Sequence, residues 1–128
     1  MKKILFVASE CVPFIKTGGL ADVVGSLPKY LNKEEFEVRV ILPKYLAIKD
    51  EYKNQMVYRT HFYIDLAWRR QYVGIQELEY EGIKFYFIDN EFYFSRQKLY
   101  GEFDDAERYA FFCKAVMEMM PKVGFIPD

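Results

Sequence analysis

Very few residues in this chain are of the kinds that usually announce a metal or redox site. Of 128 residues, two are cysteine, one is histidine and one is tryptophan. Cys11 and Cys113 stand about a hundred positions apart, match no metal-binding or redox spacing, and are expected to be buried or half-buried free thiols. His61 falls in an expected strand with no sequence partner for a triad or a metal centre, so it reads as structural. An excess of one charge is also missing: 18 Lys and Arg face 19 Asp and Glu, for a net charge of −1. With 52% apolar residues, that balance excludes a disordered chain, which needs low hydrophobicity and high net charge. It gives no support to a nucleic-acid partner either, which usually leaves a basic surplus. Long hydrophobic runs are absent. A stretch such as Ile4–Ala8 is far short of the about 18 residues a membrane helix needs. After Met1-Lys2-Lys3 the apolar run stops at Ser9-Glu10, too early for a secretory signal, and no small-x-small cleavage site follows. No membrane partner and a cytoplasmic location are expected.

Aromatic residues are plentiful instead: 12 Phe, 11 Tyr and 1 Trp make up 19% of the chain. A core built of rings is the expectation. The length suits one ordinary domain with a core of its own.

The order of elements reads as α/β. Lys2–Ala8 is a continuous apolar run of strand length, the pattern of a parallel strand covered on both faces. A loop follows from Ser9 to Gly19, with Pro13 and the pair Gly18-Gly19. Helical spacing then sets in at Leu20, Val23, Val24, Leu27, Tyr30 and Leu31, with Pro28 expected to kink or loosen the last turn. Glu37–Leu42 is a second strand ending at Pro43, which completes a βαβ unit. From Val57 to Asp89 the character changes. Val57–Ile64, Tyr72–Tyr80 and Ile83–Ile88, with a turn at Glu81-Gly82, predict a β-hairpin excursion. Asn90–Phe103 is expected to be irregular. A last helix starts near Asp104, where Asp104 and Glu107 have capping-box spacing, and closes at Pro121. Val123–Asp128 stands where a strand is expected, so the α/β sheet reads as incomplete.

Chemistry points to Lys16-Thr17-Gly18-Gly19-Leu20, between the first strand and its helix. In an α/β fold, ligands bind outside the carboxyl ends of the strands. Adjacent glycines admit a ligand close to the backbone, a helix N-terminus offers unpaired N–H groups to an anion, and Lys16 adds a flexible point charge. The lysine precedes the glycines, so this is neither a G-x-G-x-x-G fingerprint nor a Walker loop. Spacing alone leaves two readings open, a phosphate-binding loop and an ordinary tight turn with a surface lysine. Glu10 and Asp22 flank the loop and either could face a ligand or serve as a capping or exposed carboxylate. Arg96, Lys98 and Tyr100-Gly101 lie in the one long irregular stretch, where binding residues concentrate. The acidic pair Asp104-Asp105 is explained by a helix N-terminus.

The run Ile4–Glu10, then Pro13-Phe14, then Lys16-Thr17-Gly18-Gly19-Leu20-Ala21-Asp22-Val23, closely resembles the opening of bacterial glycogen synthases and plant starch synthases. The likeness continues through Leu27-Pro28-Lys29 and Val38–Tyr45, and returns at Tyr100-Gly101 and Asp105–Phe112. It covers nearly the whole chain, least distinctively in the β-rich middle. The resemblance implies two Rossmann-like domains facing across a cleft, the GT-B architecture, with residues 1–128 as the front part of the N-terminal domain and the C-terminal domain absent. It implies a retaining glycosyltransferase that moves glucose from ADP-glucose to the non-reducing 4-OH of an α-1,4-glucan, with no metal and no cofactor. Lys16 then contacts the donor's phosphates, Gly18 and Gly19 approach the transferred sugar and diphosphate, and Asp22 lines the donor region. Glu10, Arg96 and Tyr100 match family positions near the cleft.

The sequence departs from the family in two ways, the first of little consequence and the second large. Cys11-Val12 replaces a pair that is more usually small or aliphatic. The family's cleft histidine, and the Arg, Lys and Glu that its second domain supplies around the leaving diphosphate, lie outside these 128 residues. No catalytic residue is therefore expected here, and the segment by itself is expected to be inactive. It is also expected to self-associate through an uncovered strand edge or to be only marginally stable. An alternative is a free-standing nucleotide-sugar or glucan-binding module that works without catalysis.

Overall fold

The computed structural model describes all residues from Met1 to Asp128. One five-stranded mixed sheet organises the chain in the order β1-β2-β5-β4-β3. β1 (Lys2–Val7), β2 (Phe36–Pro43) and β5 (Ile83–Asp89) run parallel, with Leu5 opposite Arg39 and Arg39 opposite Lys84. β4 (Arg69–Tyr80) and β3 (Val57–Leu66) join antiparallel at the far side and form the hairpin excursion that the sequence predicts. Glu81 and Gly82, with φ of 49° and 80°, close the β4–β5 turn. Positive φ at both central residues is what a two-residue I′ turn requires.

The helices are α1 (Gly19–Tyr30), the single turns α2 (Asp50–Lys53) and α3 (Glu91–Phe94), and α4 (Asp105–Val123). Both single turns lie where no helix is expected from the sequence. They are too short to show an apolar period. Asn90 caps α3 by accepting the N–H of Tyr93 at 2.9 Å.

Rings build the core, as composition predicts. Phe14, from the loop after β1, contacts Tyr52, Tyr80, Phe85 and Phe87 edge-on, with centroids 4.9–5.6 Å apart. This plug fixes the loop to β4 and β5. On the other side α4 buries Phe111, Phe112, Ala115, Val116, Met119 and Val123.

Several sequence expectations fail, each for a physical reason. β1 is an edge strand with partly exposed residues, not a strand buried on both faces. The apolar spacing of α1 does not mark its inner face. Ala21, Val24, Gly25 and Pro28 face inward, whereas Leu20, Val23, Leu27 and Tyr30 are 44–85% exposed. Only small residues fit inside because the loop crosses α1 directly. A Cβ on Gly25 would stand 2.3 Å from Val12 Cγ2 and 2.8 Å from the Val12 carbonyl. Cys11 is fully buried but Cys113, on the outer face of α4, is exposed. Asp104 makes no cap; Arg96 holds its carboxylate. Asp105 instead accepts the N–H groups of Gly101 at 2.7 Å and Glu102 at 3.2 Å, while Glu107 pairs with Arg69 and the Tyr93 hydroxyl. Pro121 lies inside α4, which runs on to Val123 and ends at Gly124 with φ 71°. Proline can sit in a last turn, and glycine supplies the left-handed C-terminal residue.

Candidate functional site

The K-T-G-G loop leaves the carboxyl end of β1 and enters α1, where a parallel sheet presents ligand sites. Its backbone is tied down on every side. Cys11 and Ile15 exchange N–H···O bonds of 3.0 Å, and Val12 N–H donates to the Ala21 carbonyl at 3.1 Å. With Phe14 in the core, the loop has little freedom before Lys16.

Glu10 is the buried centre of the site, only 2% exposed. Its Oε1 accepts the backbone N–H of Thr17 at 3.2 Å and of Gly18 at 3.0 Å. Its Oε2 accepts the Thr17 hydroxyl at 2.5 Å and the Tyr100 hydroxyl at 2.8 Å. Burial alone would push this carboxyl up; the bonds from Thr17, Tyr100 and Gly18 outweigh it and hold the carboxyl below its ordinary value. Tyr100 Oη also meets Ser9 Oγ at 2.6 Å, and burial is the main cause that pushes the phenol up to about 12. Tyr100 therefore stays a neutral donor.

At the rim, Lys16 Nζ lies 2.8 Å from Asp22 Oδ2 and 3.0 Å from Oδ1. Both side chains are about half exposed (52% and 55%), so this is a surface pair that an incoming anion can compete with. A Cβ placed on Gly18 or Gly19 would meet nothing within 4 Å, so the space above the glycine pair is open. Gly18 N–H is taken by Glu10, whereas the N–H groups of Gly19 and Leu20 have no protein acceptor. These are the unpaired donors at the positive end of α1.

The stretch that carries Tyr100 is held by Arg108, a fully buried residue that the sequence reading passed over. Arg108 donates to the carbonyls of Tyr93 at 2.7 Å, Leu99 at 2.9 Å and Lys98 at 3.3 Å, and to Asp105 Oδ1 at 2.9 Å. It stands in the charged first turn of α4, between Glu107 and the first large apolar residue Tyr109, and no periodic signal in the sequence marks it as buried. Tyr109 adds a bond to the Leu99 carbonyl at 2.7 Å and meets the Tyr45 hydroxyl at 2.9 Å.

Lys16, Gly18, Gly19, Asp22, Glu10 and Tyr100 thus come together at one end of the sheet. Arg96 does not join them. Its guanidinium grips Asp104 through two bonds of 2.8 and 2.9 Å and lies over the Phe92 ring. His61, in β3, bonds the Tyr58 hydroxyl at 2.6 Å, as a structural residue would. The largest cleft, about 360 Å³ between Met1, Pro28, Leu31, Phe36 and Ile83, lies at the opposite, amino ends of the parallel strands. The site around Lys16 is an open ledge, the form expected of one wall of a cleft. No helix is long and apolar enough to cross a membrane.

The family model for the starch synthase catalytic domain matches residues 3–128. The chain belongs to that family. Curated glycogen synthases align along its whole length. That of Lachnoclostridium phytofermentans is 63% identical over 129 aligned positions, covering all of this chain and 27% of that protein. That of Lachnospira eligens is 62% identical, with the same coverage. Among solved structures, the catalytic domain of starch synthase IV from Arabidopsis thaliana, bound to ADP and acarbose, superposes with a TM-score of 0.80 at 29% identity. The match covers 99% of this chain and 27% of that one. The chain therefore spans about a quarter of the length of its relatives, and its mixed α/β sheet corresponds to part of the starch synthase catalytic domain.

Proposed function

We propose that this chain supplies the donor-side wall of a retaining glycosyltransferase that transfers glucose from ADP-glucose to the non-reducing 4-OH of an α-1,4-glucan. The observation that carries the proposal is the ledge at the carboxyl end of β1. One exposed ammonium, two open glycines and two unpaired N–H groups of α1 converge there. Lys16 and the start of α1 hold the diphosphate, and Asp22 keeps Lys16 at the ledge until the donor arrives. Charge gathers on the diphosphate as it leaves, so cationic and dipolar groups placed beforehand lower the barrier. Gly18 contributes its bare Cα, which lets the transferred sugar approach. The protein acts in the cytoplasm.

The same reading makes residues 1–128 the front part of an N-terminal Rossmann-like domain. In β1, Lys2 and Ala8 bond toward β2, so Lys3, Leu5 and Val7 direct their backbone groups to the other edge. Only Lys3 is met there, where Asp128 N–H reaches its carbonyl at 2.9 Å. Beside this edge α1 exposes Leu20, Val23, Leu27 and Tyr30. Asp22, Ser26 and Lys29 form its polar stripe, so α1 carries apolar residues on two faces, and the outer set calls for a further partner. A further parallel strand along β1 and elements over α1 would cover both surfaces.

The test is ADP release from ADP-glucose with glycogen as acceptor, run on the intact synthase and on residues 1–128 alone. Turnover by the intact protein and none by the segment is expected. Absence of turnover by the intact protein would overturn the assignment, and steady turnover by the segment would overturn the division of labour.

A further inference from the structure

We propose that Glu10 is a positioning residue that welds the K-T-G-G loop to the Tyr100 stretch and never touches substrate. This rests on the donor-site reading given above. An ionised carboxylate offers about four lone-pair sites. All four are occupied: Thr17 N–H and Gly18 N–H on Oε1, the Thr17 hydroxyl and the Tyr100 hydroxyl on Oε2. None remains for a sugar hydroxyl or for a proton in transit. The residue is also 2% exposed, beneath the loop instead of on the ledge. Glu10 and Tyr100 are 90 positions apart, and their bond is a direct side-chain link between the two stretches. By holding Gly18 N–H inward, the carboxylate leaves the diphosphate only the Gly19 and Leu20 N–H groups and Lys16, and it sets the height of all three.

This arrangement predicts an unusual order of substitutions. In Glu10→Gln, the amide oxygen takes the place of Oε1 and accepts both N–H groups. The amide nitrogen takes the place of Oε2 and donates to the two hydroxyls, which then act as acceptors; Tyr100 passes its own proton to Ser9 Oγ. The network survives without the charge. Glu10→Asp keeps the charge but is one methylene too short to reach loop and tyrosine together. Geometry therefore ranks Gln above Asp. A group that bound a cation or moved a proton would rank Asp at or above Gln, and would lose 10²–10⁴-fold in Gln.

The experiment uses the intact synthase and three readouts on Glu10→Gln, Glu10→Asp, Glu10→Ala and Thr17→Val. The first is amide hydrogen exchange in the segment around Thr17 and Gly18. Protection is expected to persist in Gln and to be lost in Asp and Ala. The second is the dissociation constant of ADP measured by calorimetry. It should change less than about fivefold in Gln, weaken about 5- to 20-fold in Thr17→Val, which loses one charge-assisted bond, and weaken more than about 20-fold in Asp and Ala, which lose two or more. The third is kcat/KM for ADP-glucose, in which Gln is expected to rescue what Ala loses. A Gln variant at or below Asp in kcat/KM, or unchanged exchange in Ala, overturns the proposal. If wild type shows no transferase activity, the donor-site reading fails, and the exchange readout still decides the role of Glu10.

Discussion

Removing the Lys16 ammonium tests the donor ledge at its most exposed point. In the free protein the ammonium is paired with Asp22 at 2.8 Å, with both side chains about half exposed. Breaking a surface pair of this kind costs about 0.2–1 kcal/mol. A hydrogen bond from the same ammonium to a diphosphate oxygen contributes about 1.5–3 kcal/mol. The difference leaves a net gain of about 0.5–2.8 kcal/mol, so Lys16→Ala should lower kcat/KM for ADP-glucose roughly 2- to 100-fold. Because charge builds on the leaving diphosphate, part of the loss belongs in kcat and part in donor KM. Lys16→Arg should rescue incompletely, since a planar guanidinium presents its donors in a fixed fork. Steady-state kinetics of the intact synthase with saturating glycogen reads both parameters. An Ala variant within about twofold of wild type would refute the reasoning and make Lys16 an ordinary surface lysine.

Other consequences concern how the site is held. Arg108→Met removes a buried guanidinium from three carbonyls and Asp105; breaking such a network costs about 3–5 kcal/mol, so amide exchange across residues 95–104 should accelerate at least 100-fold, and unchanged exchange would contradict the hold of Arg108 on that stretch. Asp104 is held below its ordinary value chiefly by Arg96. Asp105 is held below its own because the Gly101 and Glu102 N–H groups and Arg108 outweigh burial. A depressed carboxyl stabilises above its unfolded pKa of about 3.9 and loses that contribution as pH falls through the folded value; proteolysis within 95–104 should stay constant from neutral pH to about 4.5 and rise below about 4, whereas a rise between pH 6 and 7 would contradict the assignment. The uncovered edge of β1 and the apolar stripe of α1 predict that residues 1–128, expressed alone, self-associate. Lys substitutions at Val23 and Leu27 should shift sedimentation toward monomer, and a concentration-independent monomer in the unsubstituted segment would refute this.

Much of this was legible in the sequence, and the failures share one cause. The βαβ unit and the hairpin follow from strand runs, a glycine-bearing turn and helical spacing, all local signals. The K-T-G-G loop was visible as a glycine pair at a strand–helix junction. What sequence could not supply was which face of an element meets which partner. In α1 the large apolar residues marked the surface turned away from this sheet, because Val12 crosses at Gly25 and leaves room only for small side chains. Cys113 read as buried for the same reason: an apolar neighbourhood on a helix does not say which side is covered. The bonds between Glu10 and Tyr100, and between Arg96 and Asp104, join residues by the path of the folded chain and leave no periodic trace. Arg96 matched a site position in sequence, yet its guanidinium serves the loop and not the ledge.

The most direct test of the donor ledge is a structure of the intact synthase with ADP bound, read at Lys16. The expected result is Lys16 Nζ moved off Asp22 to within hydrogen-bond distance of a diphosphate oxygen, with Gly19 N–H directed at the same group and Gly18 N–H still on Glu10. A diphosphate bound elsewhere, with Lys16 still paired to Asp22, would contradict the account.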